Sequence, residues 1–202
     1  NHSESEGGGI AIGGDGEPVV ESCLISGNHG RSGGGIFVEG SGQFIGKNLT
    51  VYNNSSSDIQ EAGGGGFFAD RSSNSVLVNS IFWDNKKGDN DNEIIVNTFN
   101  LSENSFAQLT IINSVIKGTT SGIVVDQGAI LNQQGIYGFY PGFVDSSKVP
   151  DENSSGFELI DNSPAISAGV NSFEFNGNSY ITTSNGTDAY GVSIPSPGNT
   201  II

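Results

Sequence analysis

Short apolar triplets separated by glycine, asparagine and serine recur along the first half of the chain. The motif GGGIAI at residues 7–12 returns as GGGIFV at 33–38 and as GGGFFA at 64–69, at offsets of 26 and 31 residues. None of these stretches has the 3.6-residue apolar period of an amphipathic helix. The pattern predicts a repeated unit that consists of two or three short β-strands.

Polar residues keep the same register as the apolar triplets. One column is formed by Ser22, Asn48 and Asn79, and a second by Asn28, Asn54 and Asn85. A fourth unit, Leu109–Gly118, continues the first column with Asn113. Asparagine tolerates left-handed backbone geometry, and its amides can hydrogen-bond along a stack of identical positions. We therefore expect these columns to mark the bends between strands.

A unit of this size cannot bury its own apolar face, but a stack of such units can. Equivalent strands would then pair in parallel, one coil apart, at a spacing of about 4.8 Å. Their apolar residues would form interior columns such as Ile10/Ile36/Phe67 and Ile25/Val51/Phe82. The prediction is an all-β parallel β-helix, a solenoid with coils of 26–31 residues.

The repeat degrades after about Gly122, so the chain divides into coils at 1–138 and an irregular end at 139–202 of the same domain. A solenoid needs an atypical end to cover its open core. We expect apolar cover of that open end from the aromatic residues of this region, namely Phe139, Tyr140, Phe143, Phe157, Phe173 and Phe175.

Composition excludes several classes of protein. The 202 residues include 31 glycines, and seven Lys and Arg stand against 22 Asp and Glu, so the net charge is -15. That balance provides no basic surface for nucleic acid or anionic lipid, and no apolar run approaches the roughly 18 residues of a membrane helix.

The lone Cys23 excludes an internal disulfide framework and is expected to be a small buried apolar residue. Because the chain begins at Asn1 without a Met or a signal peptide, we expect a segment of a longer polypeptide or assembly.

The unit GGGI…N…I-x-x-N resembles the repeats of bacterial right-handed parallel β-helix proteins, among them the pectate-lyase-like superfamily and the polymorphic outer-membrane proteins. The stretch Pro141–Asp145, followed by Asn162–Gly169, is similar to the PxFVD…SPAIDAG ending of secreted bacterial β-helix proteins, with Ser167 in place of the usual Asp. Residues 188–191 fit the DxxG turn of that ending. The resemblance implies a right-handed helix in a secreted or cell-surface bacterial protein, and leaves the activity open because this fold hosts many functions.

The superfamily resemblance raises the question of polysaccharide cleavage. Its lyases use carboxylate-bound Ca²⁺ with an Arg or Lys base, and its glycosidases use paired aspartates. The chain has no Asp-Asp pair, its few cations lie in turns or bend columns, and His29-Gly30 lacks partner aspartates. We therefore predict no catalytic residues. The alternative is a carbohydrate-active enzyme fragment, a Ca²⁺-dependent polysaccharide lyase or a glycoside hydrolase, with an incomplete active site.

An acidic loop at residues 84–93 is the candidate cation site. It offers alternating oxygen ligands from Asp84, Asp89, Asp91 and Glu93, which suit a hard cation such as Ca²⁺. The other interpretation is a solvated loop between coils. A second and weaker candidate combines Asp145 with Asp151 and Glu152.

Two aromatic residues occupy equivalent positions in successive coils. Tyr52 and Trp83 are expected to be exposed and to form a small platform on which a sugar ring could stack; the other interpretation is partial packing under the longer loops. The sequence thus predicts a non-catalytic extracellular β-helix module that serves in adhesion, in glycan or protein binding, or as a stalk.

Overall fold

The computed structural model describes residues 1–57, 63–97, 106–126, 128–147, 156–166 and 168–182. Within these ranges the chain is built from short strands and one 3-10 turn, η1 (Thr119–Gly122), with no α-helix. The strands are β1 (Ile10–Ile12), β2 (Val19–Glu21), β3 (Leu24–Ser26), β4 (His29–Gly30), β5 (Ile36–Val38), β6 (Gln43–Lys47), β7 (Thr50–Tyr52), β8 (Ser55–Ser56), β9 (Phe67–Ala69), β10 (Asn74–Val78), β11 (Ile81–Trp83), β12 (Lys86–Lys87), β13 (Asn90–Asp91), β14 (Ile94–Val96), β15 (Gln108–Ile116), β16 (Ile123–Val125), β17 (Ile130–Tyr137), β18 (Ser172–Phe175) and β19 (Asn178–Ile181).

Strands from successive coils pair in parallel on three sides of the molecule. The front sheet has the order β1-β5-β9-β14-β16. The broad sheet joins two ladders, β2-β6-β10 and β3-β7-β11, through the long strand β15, which also pairs with β17. The narrow sheet contains β4, β8 and β12, with β13 folded back antiparallel on β12. This arrangement is the predicted parallel β-helix.

The interior is one continuous apolar core. In the front sheet Ile10 pairs with Ile36 and Ile36 with Phe67, so the predicted column is confirmed. In the broad sheet alternate residues point inward, as Phe44 and Leu77 do, while Ile45 and Val76 belong to a separate outer cluster. The core side chains that lie fully inside are Ile36, Val38, Phe44, Leu49, Val51, Phe67, Ala69, Leu77, Phe82, Ile94, Val96, Ala107, Leu109, Ile111 and Ile116.

A buried asparagine ladder connects the first three coils at the entrance to the narrow sheet. The backbone N–H and Nδ2 of Asn28 donate to Oδ1 of Asn54 at 3.0 and 2.9 Å, and those of Asn54 donate to Oδ1 of Asn85 at the same distances. Asn54 and Asn85 also donate from Nδ2 to the carbonyls of Ile25 and Val51. The expectation that this column hydrogen-bonds along the stack is therefore confirmed.

Glycine is required where the ladder passes the front sheet. A Cβ at Gly35 would lie 3.1 Å from Asn54 Nδ2, and a Cβ at Gly66 would lie 2.9 Å from Asn85 Cγ. The third glycine of each GGG motif thus leaves the space that the asparagine side chain fills.

The other polar column lies at the bend between the two ladders of the broad sheet. Ser22, Asn48, Asn79 and Asn113 all have positive φ there, between 44° and 53°. Asparagine reaches this geometry at little cost, as predicted. Its amides, however, face outward and bind a different part of the chain.

That part is a strap, defined as the described residues 139–147, 156–166 and 168–182, which lies along the outer face of the broad sheet. Asn48 and Asn113 donate to the carbonyls of Thr182 and Ala168 at 2.7 and 3.0 Å. Asn79 donates to the Val170 carbonyl and accepts from the Val170 N–H, both at 2.8 Å. The bend column therefore binds the strap backbone.

Apolar contacts complete the attachment of the strap. Phe173 and Phe175 pack on the outward side chains Ile45, Val76 and Val78, and Phe143 packs with Ile81 and Val115. The expectation that these rings cover the open end of the core was wrong, because the outer face of the broad sheet is itself apolar and the rings pack on it. The boundary between 138 and 139 stays a prediction, and Ser167 and residues 183–202 lie outside the described residues.

The expected burial of Cys23 was also wrong. Cys23 precedes β3 as Leu49 precedes β7, and Leu49 is fully buried, yet Cys23 is exposed and its Sγ contacts the Glu21 carbonyl at 3.2 Å. Cys23 lies in the first described coil, where no described coil packs below it. Position in the stack, and not residue type, determines its exposure.

We predict that Asn54→Ala destabilises the protein by about 3 kcal/mol, because the two donors of Asn28 and the Ile25 carbonyl of the preceding coil lose this buried partner. Urea unfolding would measure this loss. The control is Asn132→Ala on β17, where the side chain is exposed and a change within about 0.5 kcal/mol is expected. Equal effects of the two substitutions would contradict the ladder's role.

Candidate functional site

Tyr52 and Trp83 lie side by side, because β7 and β11 pair with these two residues in register. Both are half-buried. Tyr52 packs edge-on against Phe143 and Phe157, with ring centroids 5.8 and 4.8 Å apart. The expectation that both residues are exposed was wrong, because the strap partly covers them. The alternative interpretation, partial packing, describes their environment. Whether the pair binds a ligand stays a prediction.

Tyr140 extends this aromatic group to the surface. Its ring centroid lies 5.5 Å from that of Trp83 in a T-shaped arrangement, and the residue is 52% exposed. The following Pro141-Gly142 turn, with a positive φ of 76° at Gly142, positions the ring. Sequence reasoning assigned Tyr140 to the cover of the core. Its place directly before a Pro-Gly turn was the signal for an exposed ring.

Charged groups lie immediately beside Trp83. Lys117 follows β15, and its N–H donates to the Phe82 carbonyl at 3.0 Å, so Lys117 stands one coil from Trp83. Its Nζ lies 2.7 Å from Asp84 Oδ1 and 2.8 Å from Asp91 Oδ2. These hydrogen bonds hold the pKa of Lys117 above its ordinary value. The result is a partly exposed triad with one positive and two negative charges.

The four residues predicted to hold Ca²⁺ are distributed over different environments. Asp84 and Asp91 both contact Lys117, whereas Asp89 is exposed in the turn between β12 and β13. Glu93 is buried. Among the described residues, no group of three or more His, Cys, Asp or Glu side chains is arranged to hold a metal ion. Calcium binding stays a prediction, and the ammonium group of Lys117 occupies the position between two of the proposed ligands.

The weaker candidate for a cation site has only one described member. Asp145 binds the backbone N–H and hydroxyl of Ser147 at 3.1 and 2.6 Å. Asp151 and Glu152 lie outside the described residues.

Glu93 terminates the asparagine ladder. Its backbone N–H donates to Gly122 O while its own carbonyl accepts from Phe67, so it occupies the position of the third glycine in the fourth coil. Its Oε2 accepts from the backbone N–H and Nδ2 of Asn85 at 3.2 and 2.5 Å. Only 1% of the residue is exposed, and burial raises the carboxyl pKa from 4.5 to about 7. Sequence reasoning assigned this residue to the acidic loop and missed its inward orientation.

The pKa of Glu93 makes a prediction about stability and pH. An ordinary carboxyl in the unfolded chain loses its proton near pH 4.5, and the folded one near 7, so the folded state binds more protons between these values. The protonated Glu93 therefore stabilises the fold fully below about pH 4.5. As the pH rises to about 7 this contribution is lost, and the free energy of unfolding falls by about 3 kcal/mol in total.

Glu93→Gln keeps the acceptor oxygen and removes the titration. We expect the stability of this variant relative to wild type to increase by up to about 3 kcal/mol between pH 4.5 and 8, as measured by urea unfolding across that range. Glu174→Gln, on an exposed strap position, should follow wild type. A Glu93→Gln variant with the pH profile of wild type would rule out the proposed burial of the charge.

Three parallel sheets wind around one apolar core, and this arrangement is a β-helix solenoid. The chain belongs to the right-handed β-helix family, since the family model described as a right handed beta helix region matches residues 1–137. Comparison with curated proteins gave no match, and neither did comparison with solved structures. In the described part of the chain, no helix has the length and apolar character needed to cross a membrane.

Proposed function

We propose that this chain is a non-catalytic extracellular β-helix module of a larger secreted or cell-surface protein, and that it acts by binding a glycan or a surface protein. The observation that carries the proposal is the exposed ring of Tyr140 beside Trp83. An exposed aromatic ring that packs on a rigid scaffold is suited to recognition, because its apolar surface is available without a conformational cost.

The distribution of cations supports binding over cleavage. Lys47, Arg71 and Lys117 each lie within 3.0 Å of a carboxylate oxygen. A side chain held in this way by a carboxylate is poorly placed to act as a base on a uronate ring.

The acidic group with a raised pKa offers little support for a glycosidase. A general acid must reach within about 3 Å of the leaving oxygen, and Glu93, with its raised pKa, is buried at the end of the asparagine ladder. The alternative of a carbohydrate-active enzyme, lyase or hydrolase, therefore has weaker support from the described residues than a binding module has.

We predict that the purified chain retains glycans or whole cells but releases no product from polysaccharides. Binding would be measured on a glycan array and in a cell-adhesion assay. Cleavage would be measured by absorbance of unsaturated uronates and by reducing ends, with pectate, alginate and neutral polymers, each with and without Ca²⁺.

The two assays separate the candidates. Unsaturated uronates would establish a lyase, and new reducing ends without unsaturation would establish a hydrolase; either product would overturn the proposal. Absence of both binding and cleavage would also overturn it and leave a structural spacer as the function.

A further inference from the structure

Three neighbouring features meet where the third and fourth coils pair. The half-buried face of Trp83, the exposed ring of Tyr140 and the triad of Lys117, Asp84 and Asp91 are joined by chain continuity and by strand register. Asp84 directly follows Trp83, and Lys117 lies opposite Trp83 in the next coil. We name this surface the aromatic rim.

The rim combines an apolar plane with polar groups that both donate and accept hydrogen bonds. A pyranose ring has the same division: its axial C–H face is apolar, and its equatorial hydroxyls surround it. The flat face of Tyr140 can contact the C–H face beside the edge of Trp83, since aromatic rings bury large apolar area with few rotatable bonds. Lys117 can donate to ring-edge hydroxyls, and Asp84 and Asp91 can accept from them.

The charge of the rim selects among glycans. Lys117 is shared by two carboxylates, so the triad carries a net charge of -1 within a chain of net charge -15. A ligand carboxylate placed near 4 Å from either aspartate would meet repulsion of about 1 kcal/mol in water and more where water is excluded. A neutral hexose meets no such penalty. The rim therefore favours an uncharged sugar over a uronate.

The rim is already organised in the free protein. The side chains of Asp84 and Asp91 are each fixed by Lys117 at hydrogen-bonding distance. Trp83 pairs in register with Tyr52, and its ring contacts the strap ring of Tyr140. Preorganised groups of this kind reduce the entropy that a ligand loses on binding.

We propose that the rim of Trp83, Tyr140, Lys117, Asp84 and Asp91 is a binding site for a neutral, uncharged glycan. The proposal rests on the proposed function as a binding module and names the class of ligand. One sugar ring stacks on Tyr140 at the edge of Trp83, and its hydroxyls bond to the charged triad.

The test uses the intrinsic fluorescence of Trp83, which is the only tryptophan of the chain. Glycans retained on an array of neutral and acidic structures would be titrated against the whole chain while Trp83 emission is followed. We expect neutral glycans to be retained, and the emission of Trp83 to shift as they bind.

Variants locate the site. Tyr140→Ala should weaken binding by about tenfold, whereas Tyr140→Phe keeps the ring and should retain most of the affinity. The matched control is Tyr180→Ala, which removes a second strap tyrosine that stacks on Phe173, far along the strap from Trp83. It should leave the dissociation constant unchanged, and circular dichroism would verify that each variant keeps its strands.

The outcomes are distinguishable. Retention of acidic glycans in preference to neutral ones, or a Tyr140→Ala affinity equal to wild type, would overturn the rim assignment and leave the binding-module proposal intact. Retention of no glycan would overturn the rim assignment, and a cell or protein ligand would then remain as support for the broader function. If Tyr140→Ala loses its strands, the absence of any change in wild-type Trp83 emission on saturation would still overturn the assignment.

Discussion

The hydrogen bonds between Asn28, Asn54 and Asn85 hold successive coils of the solenoid in one register. Each asparagine gives its backbone N–H and one amide hydrogen to the next coil, so the column has a direction and its last member always needs an acceptor. Buried donors without partners cost 1–3 kcal/mol each by general estimates. The ladder therefore fixes the register of successive coils and requires a group that ends it.

Glu93 supplies that group, because its side chain occupies the space that a glycine leaves empty in the earlier coils. In the earlier coils a glycine makes room for asparagine, as Gly66 does for Asn85. In the fourth coil the position of the third glycine is held by Glu93, and its carboxylate reaches back to Asn85. The side chain of Glu93 thus completes the hydrogen bonds of the ladder, but its carboxyl group is buried. Burial raises the pKa of that carboxyl group.

The strap meets a second requirement for hydrogen-bond partners and for apolar cover. The bend asparagines have left-handed backbone geometry and outward amides, and the outer face of the broad sheet is apolar between them. A segment that offers backbone carbonyls and phenylalanines satisfies both requirements at once, which Val170 and Phe173 illustrate. The strap in turn half-covers Tyr52 and Trp83 and brings Tyr140 to the surface. The surface proposed to bind a glycan therefore forms because the strap packs on the outer face of the broad sheet.

Features that repeat with the coil were predictable from the sequence, because each repeat is an independent copy of the same local requirement. The parallel pairing of Ile36 with Phe67 and the ladder at Asn54 are of this kind. Features that occur once were not predictable. The exposure of Cys23 depends on its place in the first described coil, and the partial burial of Tyr52 depends on a segment about ninety residues away. The inward turn of Glu93 depends on the missing asparagine in the fourth coil.

If a continuous, buried asparagine ladder holds the coils in register, the side-chain amides of the ladder should be protected from hydrogen exchange. Nuclear magnetic resonance can follow this exchange at single residues. The Nδ2 hydrogens of Asn54 and Asn85 should exchange more slowly than those of exposed Asn132, by at least about a hundredfold, since their release requires the coils to separate. Exchange of Asn54 at the rate of Asn132 would mean that the ladder does not hold the coils together.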